Sequence, residues 1–304
     1  MKKLRIGRRR GSGDEHALSP LERALHPALA DARWQVPDRF NFARDVVEAL
    51  ADDPKRRAVT FIGRDGIIEP RTFHQIAERA ARWSWLLRER GVRPGDPVLV
   101  VAGTNIDWLE IVLACLKVGA VVVPCSPAVT AQTLDARISR TGAELIVSEP
   151  SVAPEIGQMT ERPQVLYVDE GDALLDTVSG QASTHDSSAR DIAFVLATSG
   201  AGGGSSRLVG HSHGSVFAAR AAAEHWLDAG RGDAVWAPAD TGSAVATWHA
   251  LVGPWSRGAE TLLQDGPFDP LERLDLIYRL GVTVCCMSPA EYAAVAELRE
   301  VARF

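Results

Sequence analysis

The residues best suited to chemistry lie in one stretch, Phe194-Val195-Leu196-Ala197-Thr198-Ser199-Gly200-Ala201-Gly202-Gly203-Gly204-Ser205-Ser206-Arg207-Leu208-Val209. An apolar run stops at a loop dense in hydroxyls and glycines, and a cation closes it. Glycines let successive backbone N–H groups converge on one ligand without Cβ interference, while Thr198, Ser199, Ser205 and Ser206 offer hydroxyl donors. Arg207 adds a fixed positive charge. Together they have the chemistry for holding a polyphosphate. A flexible Gly/Ser linker has a similar composition, but linkers rarely abut an apolar, strand-like run.

A second constellation follows at once. Gly210-His211-Ser212-His213-Gly214 satisfies the G-x-S-x-G pattern of a nucleophile elbow, and Asp240 and His249 come later in the chain order of a hydrolase triad. Ser212 and His249 are only 37 positions apart, which leaves little room for the strands that normally separate such partners. The glycine stretch fits neither dinucleotide nor Walker fingerprints. It lacks the third glycine of G-x-G-x-x-G, and Gly204 leads to Ser205-Ser206 instead of Lys-Ser/Thr. Cys115, Cys125, Cys285 and Cys286 sit in apolar segments without C-x-x-C spacing and read as reduced core residues. The histidines form no ligand set, so no protein-held metal is expected.

The elements that must position these residues are those of a large globular chain. Its 304 residues are 46% hydrophobic and 24% charged, and the formal charge of 33 − 39 = −6 argues against general nucleic-acid binding. No stretch reaches the ~20 apolar residues that a membrane span needs. The basic opening Lys2 to Arg10 lacks a following apolar region, so it fails as a secretory signal. A soluble, cytoplasmic protein is the expectation.

Residues 1–40 read as an N-terminal extension. Asn41 can cap a helix that Asp52-Asp53-Pro54 ends. Ala58–Ile62 and Gly66–Ile68 flank a turn at Gly63-Arg64-Asp65, and Thr72 can cap a long helix ending near Gly91. Apolar runs at Pro97–Ala102, Ala120–Pro124, Glu144–Val147 and Val165–Val168 then alternate with helical patterns at Ile106–Val118 and Ala131–Thr141. This alternation implies crossovers and a mainly parallel sheet. Residues 170–190 lose period and read as a surface connection or a subdomain boundary. After the glycine stretch, helices are expected at Ser215–Leu227, Val245–Trp255 and Leu271–Leu280, with strands at Ala234–Trp236, Thr261–Leu263 and Val282–Cys286. The fold class is α/β, with stacked, mainly parallel sheets and flanking helices. Subdomains are expected over 41–185 and 186–304.

Ordered landmarks carry a family resemblance. Thr198-Ser199-Gly200 with its glycines, a cation and a closing His resembles the phosphate-binding signature of the adenylate-forming (AMP-binding) superfamily. Upstream, Gly91-Val92-Arg93-Pro94-Gly95-Asp96 and Leu116-Lys117-Val118-Gly119-Ala120 look like early landmarks of that superfamily. Downstream, Trp236-Ala237-Pro238-Ala239-Asp240-Thr241-Gly242, Gly253-Pro254-Trp255 and Met287-Ser288-Pro289-Ala290-Glu291-Tyr292 resemble its acetate and medium-chain acyl-CoA synthetase branch.

The resemblance implies that Thr198, Ser199, Gly200, Gly202, Gly203, Gly204, Ser205, Ser206 and Arg207 hold ATP phosphates, with Arg207 in the place of the family's loop lysine. His211, Asp240 and Trp248 would line the site, although a core role suits Trp236, Trp248 and Trp255 equally well. The implied substrates are a medium-chain fatty or aromatic carboxylate, ATP with Mg2+, and CoA. The implied reaction gives an acyl-adenylate and pyrophosphate, then a thioester. The chain departs from the family pattern in its longer loop and in Arg207. It also stops at Phe304, before the family's adenine- and ribose-binding segments and its mobile C-terminal domain with the adenylation lysine. The resemblance therefore describes an N-terminal portion, for which little or no adenylation alone is expected, or a non-catalytic nucleotide-binding remnant.

Overall fold

The computed structural model describes residues 35–178, 182–198 and 207–298. The chain divides into two compact units, Met1–Gln35 and Val36–Phe304, and all elements below belong to the second.

A π-helical segment, Ala43–Glu48, runs into the short α-helix Ala49–Ala51. Asn41 serves its start, as expected, by accepting the Ala43 N–H at 3.0 Å. Strands β1 (Arg57–Ile62) and β2 (Ile68–Thr72) pair antiparallel. Helix α1 (Phe73–Glu89) begins in a reciprocal capping box between Thr72 and Gln75, which satisfies two backbone donors at once. There follow β3 (Pro97–Val101), α2 (Ile106–Val118), β4 (Val121–Cys125), α3 (Ala131–Thr141), β5 (Leu145–Ser148), α4 (Ala153–Gly157) and β6 (Gln164–Tyr167). Next come α5 (Val168–Leu175), β7 (Ile192–Thr198), β8 (Arg207–Ser212), α6 (His213–Trp226) and β9 (Ala234–Trp236). A second π-helical segment, Ala246–Val252, continues as α7 (Gly253–Arg257), and β10 (Glu260–Gln264), α8 (Pro270–Leu280), β11 (Val284–Cys285) and α9 (Pro289–Ala296) complete the order.

Among the described residues the strands form two sheets, with orders β6-β5-β3-β4-β7-β8 and β11-β9-β10-β1-β2. Pairing is parallel except for the hairpins β1–β2 and β7–β8, one at an edge of each sheet. The sheets do not divide the chain at 185/186: β1 and β2 join the later strands β9, β10 and β11, while β7 and β8 extend the sheet of β3 to β6.

Strand alternation explains why the central strands read as unbroken apolar runs. Val98 and Val100 enter the largest buried cluster, while Leu99 and Val101 enter a second cluster on the other face, so both faces of β3 are covered. The largest cluster takes side chains from both sheets and from α1, α2, the second π-helical segment and α7. Trp255 ties its layers: the ring meets Phe73 edge to face at 5.3 Å, and Nε1 donates to the Ala58 carbonyl at 2.9 Å.

One expectation needs correction. Residues 170–190 are more than a surface connection, because α5 packs on α1 through Gly171, where any Cβ would collide with the Trp83 ring. The segment after it is stitched to the core. His185 N–H donates to the Lys117 carbonyl at 2.8 Å, and Asn41 Nδ2 donates to the Leu116 carbonyl and to Ser187 Oγ. Local period is lost there because long-range partners, not a regular stripe, satisfy the backbone. Helix α9, for which the sequence suggested no element, is capped by Ser288 in a capping box with Glu291.

Candidate functional site: a glycine-tipped hairpin beside a tryptophan

The glycine stretch connects β7 to β8, an antiparallel pair whose last described register is Thr198↔Arg207. Ser199, Gly200, Gly202, Gly203, Gly204, Ser205 and Ser206 lie outside the described residues. Their two neighbours close the hairpin neck: Arg207 N–H donates to Thr198 Oγ1 at 3.3 Å, and the Thr198 hydroxyl donates to the Arg207 carbonyl at 3.4 Å.

Cross-strand partners share a face, so the pairs Thr198↔Arg207, Leu196↔Val209 and Phe194↔His211 all point to one side of the sheet. Trp248 stands on that side. Its ring meets His211 edge to face at 5.1 Å and Phe194 at 6.1 Å. Burial holds the His211 imidazole below its ordinary pKa, which keeps it neutral near pH 7. Arg207 is exposed, and its guanidinium has no hydrogen bond or ion pair among the described residues.

Beyond Trp248 opens an apolar cleft of about 380 Å³, lined by Ala219, Ala222, Trp226, Leu227, Trp248 and His249. Trp226 is 59% exposed despite its large apolar ring, which packs on His249 at 4.2 Å. Trp248 thus lines this cleft, whereas Trp236 and Trp255 are buried at 1% and 0% exposure.

Asp240 takes another place. Its carboxylate accepts the Ser126 hydroxyl at 2.5 Å and the Gly242 N–H at 2.8 Å. This turn presses Gly242 against the Ser126 backbone, a fit that a Cβ would prevent. Thr241 Oγ1 donates to the Ala102 carbonyl at 2.5 Å, so the Asp240 turn is pinned beside the C-terminal ends of β3 and β4. Ser126 escapes a sequence reading because nothing local marks the residue after an apolar strand as a partner for one 114 positions away.

The structure removes the hydrolase arrangement. Ser212 has φ −78° and ψ 163°, an ordinary extended N-cap whose hydroxyl accepts the Ser215 N–H, without the strain of an elbow. Asp240 is held by Ser126 and Gly242, and His249 lies against Trp226. His213 is fully buried, with neither ring nitrogen partnered among the described residues.

Comparison with known proteins identifies the class to which this α/β fold belongs. Residues 46–303 match the AMP-binding enzyme family, and the chain belongs to that family. It is 27% identical to the uncharacterized acyl–CoA ligase YtcI of Bacillus subtilis (strain 168) over 277 residues, covering 88% of this chain and 52% of that protein. It is 24% identical to human mitochondrial acyl-coenzyme A synthetase ACSM3, covering 88% of this chain and 49% of that one. The chain therefore spans about half the length of the curated relatives it matches.

Its fold is that of a Brucella canis acyl-CoA synthetase crystal structure, with TM-score 0.79, 22% identity, and coverage of 90% of this chain and 52% of that one. The anthranilate CoA ligase AuaEII in complex with anthranoyl-AMP gives TM-score 0.77 at 20% identity, covering 88% and 52%. The sequence-based assignment to the adenylate-forming superfamily and to an α/β fold of mainly parallel sheets thus holds. No helix among the described residues is long and apolar enough to cross a membrane.

Proposed function

We propose that this chain forms the phosphate- and acid-binding portion of an AMP-forming acyl-CoA synthetase. The observation that carries the reading is the shared position of Trp248, whose ring touches His211 of the glycine-tipped hairpin and also lines the apolar cleft. A polyphosphate at the hairpin tip and a hydrocarbon in the cleft would then be neighbours.

In the proposed reaction a carboxylate oxygen attacks the α-phosphorus of ATP. The new O–P bond forms as the bond to the bridging oxygen breaks, and pyrophosphate leaves with the electron pair. The thiol of CoA, giving up its proton, then attacks the acyl carbon, and AMP departs. The hairpin's contribution is positioning and charge stabilisation: loop amides and hydroxyls with Arg207 would meet the phosphates, where a planar guanidinium can bind two oxygens. Trp248, Trp226 and Leu227 would remove water from the acid's hydrocarbon. Neutral His211 adds no competing charge.

The small side chains of Ala219, Ala222 and Ala223 along the cleft leave room for a flat or medium-length hydrocarbon, which supports a medium-chain fatty or aromatic acid as substrate. Magnesium in this reading arrives with ATP and is held by its phosphates. Among the described residues no group of three or more His, Cys, Asp or Glu forms a metal cage.

Calorimetry with ATP, AMP and a non-hydrolysable acyl-adenylate analogue tests the proposal. The analogue is expected to bind more tightly than AMP, because it also fills the cleft, and Arg207→Ala is expected to weaken ATP more than AMP. Failure of all three ligands to bind at millimolar concentration would refute it.

A further inference from the structure

Arg273 is a cation that folding buries without a side-chain hydrogen bond among the described residues. It lies on α8, one turn before Leu276, and is 4% exposed. Its guanidinium carbon sits 4.2 Å from the Trp236 ring centroid and 5.2 Å from that of Phe268. A guanidinium carries five donors and no acceptor. Among the described residues neither Nε nor Nη1 finds a partner. Oε1 of Glu291 stands 3.8 Å from Nη1, an ion pair without a hydrogen bond. Glu291 is itself restrained, since its Oε2 accepts the Ser288 N–H at 2.8 Å in the capping box of α9.

The side chain does not face a packed interior. With Thr104, Asp240, Gln264, Phe268 and Glu291 it lines a cleft of about 290 Å³ at the C-terminal ends of β9 and β10. Ligands of α/β proteins enter at such strand ends. Both oxygens of Asp240 are already taken, by Ser126 and Gly242. Asp240 is therefore satisfied inside the protein, while the guanidinium, ion-paired with Glu291, keeps donors without hydrogen bonds among the described residues and aromatic rings that fix its position. Buried donors without acceptors are uncommon in folded proteins and call for a water or a ligand.

We propose that this cleft is a binding subsite for a small oxyanion, a carboxylate or a phosphoryl group, held by Arg273. The proposal does not depend on the reading of the hairpin: it concerns a different cleft and would stand if the hairpin bound no nucleotide. Glu291 then sets the affinity, because its charge opposes an incoming anion while its ion pair with Arg273 leaves the guanidinium donors without a hydrogen bond.

The test is side-chain NMR of the 15N-labelled 304-residue chain. The Nε–Hε signal of Arg273 is assigned by its loss in Arg273→Lys and followed during titration with phosphate, malonate, acetate and chloride. Saturable movement with malonate or acetate identifies a carboxylate site, and saturable movement with phosphate alone identifies a phosphoryl site. Glu291→Gln keeps a residue able to cap α9 and removes the opposing charge, so it is expected to tighten binding about tenfold. This variant preserves the test if Arg273→Lys does not fold, since the same signal must then saturate at lower anion concentration. No saturable movement with any anion, movement equal to that with chloride, or unchanged affinity in Glu291→Gln overturns the proposal and leaves water as the partner of Arg273.

Discussion

Thr198 and Arg207 close the neck of the hairpin on each other: the Arg207 N–H donates to the threonine hydroxyl, which in turn donates to the Arg207 carbonyl. Eight residues of the glycine stretch lie between them in sequence, so this neck fixes where the loop begins and ends. A loop whose ends are held loses less entropy when it closes on a ligand. Thr198→Val keeps the β-branched shape and removes the hydroxyl. It is expected to weaken ATP binding by about threefold to tenfold, the range of one modest hydrogen bond, while Thr198→Ser stays near wild type. Calorimetry with ATP checks both, and equal affinity for all three chains would detach the neck from phosphate binding.

Trp248 separates the two halves of the proposed site. Trp248→Ala is expected to reduce the acyl-adenylate analogue's advantage over AMP by about tenfold or more, since a buried aromatic contact of this size contributes a few kcal/mol. AMP affinity itself should change little. Competitive calorimetry measures the ratio, and a parallel loss for both ligands would place Trp248 in the hairpin's structure and not in the acid's pocket.

His213 predicts an acid limb in stability. Burial drives its pKa down from 6.5 to about 4, and neither nitrogen has a hydrogen bond among the described residues. Above pH 6.5 the imidazole is neutral in both folded and unfolded chains and contributes no slope. Below it the unfolded chain takes up a proton that the folded chain refuses until about pH 4, so stability falls across that window. The loss attributable to this residue approaches about 3 kcal/mol at the acid end. Urea midpoints at pH 7.5, 6 and 4.5 should decline more steeply for wild type than for His213→Leu; identical slopes would show that other groups carry the acid limb.

Gly171 is a packing requirement, not a flexible joint. Any side chain there meets the ring of Trp83, which is itself fully buried. Gly171→Val is expected to destabilise the fold by about 1–3 kcal/mol, as overpacked cores do, with nucleotide and analogue affinities unchanged in the folded fraction. Thermal unfolding gives the first quantity and calorimetry the second. Full stability in the variant would mean that α5 can withdraw from α1 without cost.

Much of the fold is legible in the sequence because its signals are local. The capping box at Thr72-Gln75 and the apolar runs at Pro97–Ala102 and Ala120–Pro124 depend on residues a few positions apart, and they name the elements correctly. The segments read less well are those satisfied from far away. Helix α5 carries a glycine where periodicity expects bulk, because Trp83 fills that space from another helix. The stretch after it makes its hydrogen bonds to distant residues, His185 N–H to the Lys117 carbonyl and Ser187 Oγ from Asn41 Nδ2. Arg273 did leave a trace, a lone charge on the apolar stripe that continues at Leu276, Ile277 and Leu280, but a charge on a stripe does not say what faces it.

By itself the sequence determined the class of fold, the existence and place of the glycine stretch, and membership of the AMP-binding family, since those follow from composition, spacing and ordered motifs along one dimension. Only the tertiary structure decided which residues meet: that β1 and β2 join the later sheet, that Ser212 is a helix cap, that His211 faces Trp248 beside the apolar cleft, and that Asp240 answers to Ser126. The reason is physical. Helices and strands arise from neighbours in sequence, whereas a site is made where strand ends and loops converge, and packing alone chooses those partners among residues more than a hundred positions apart.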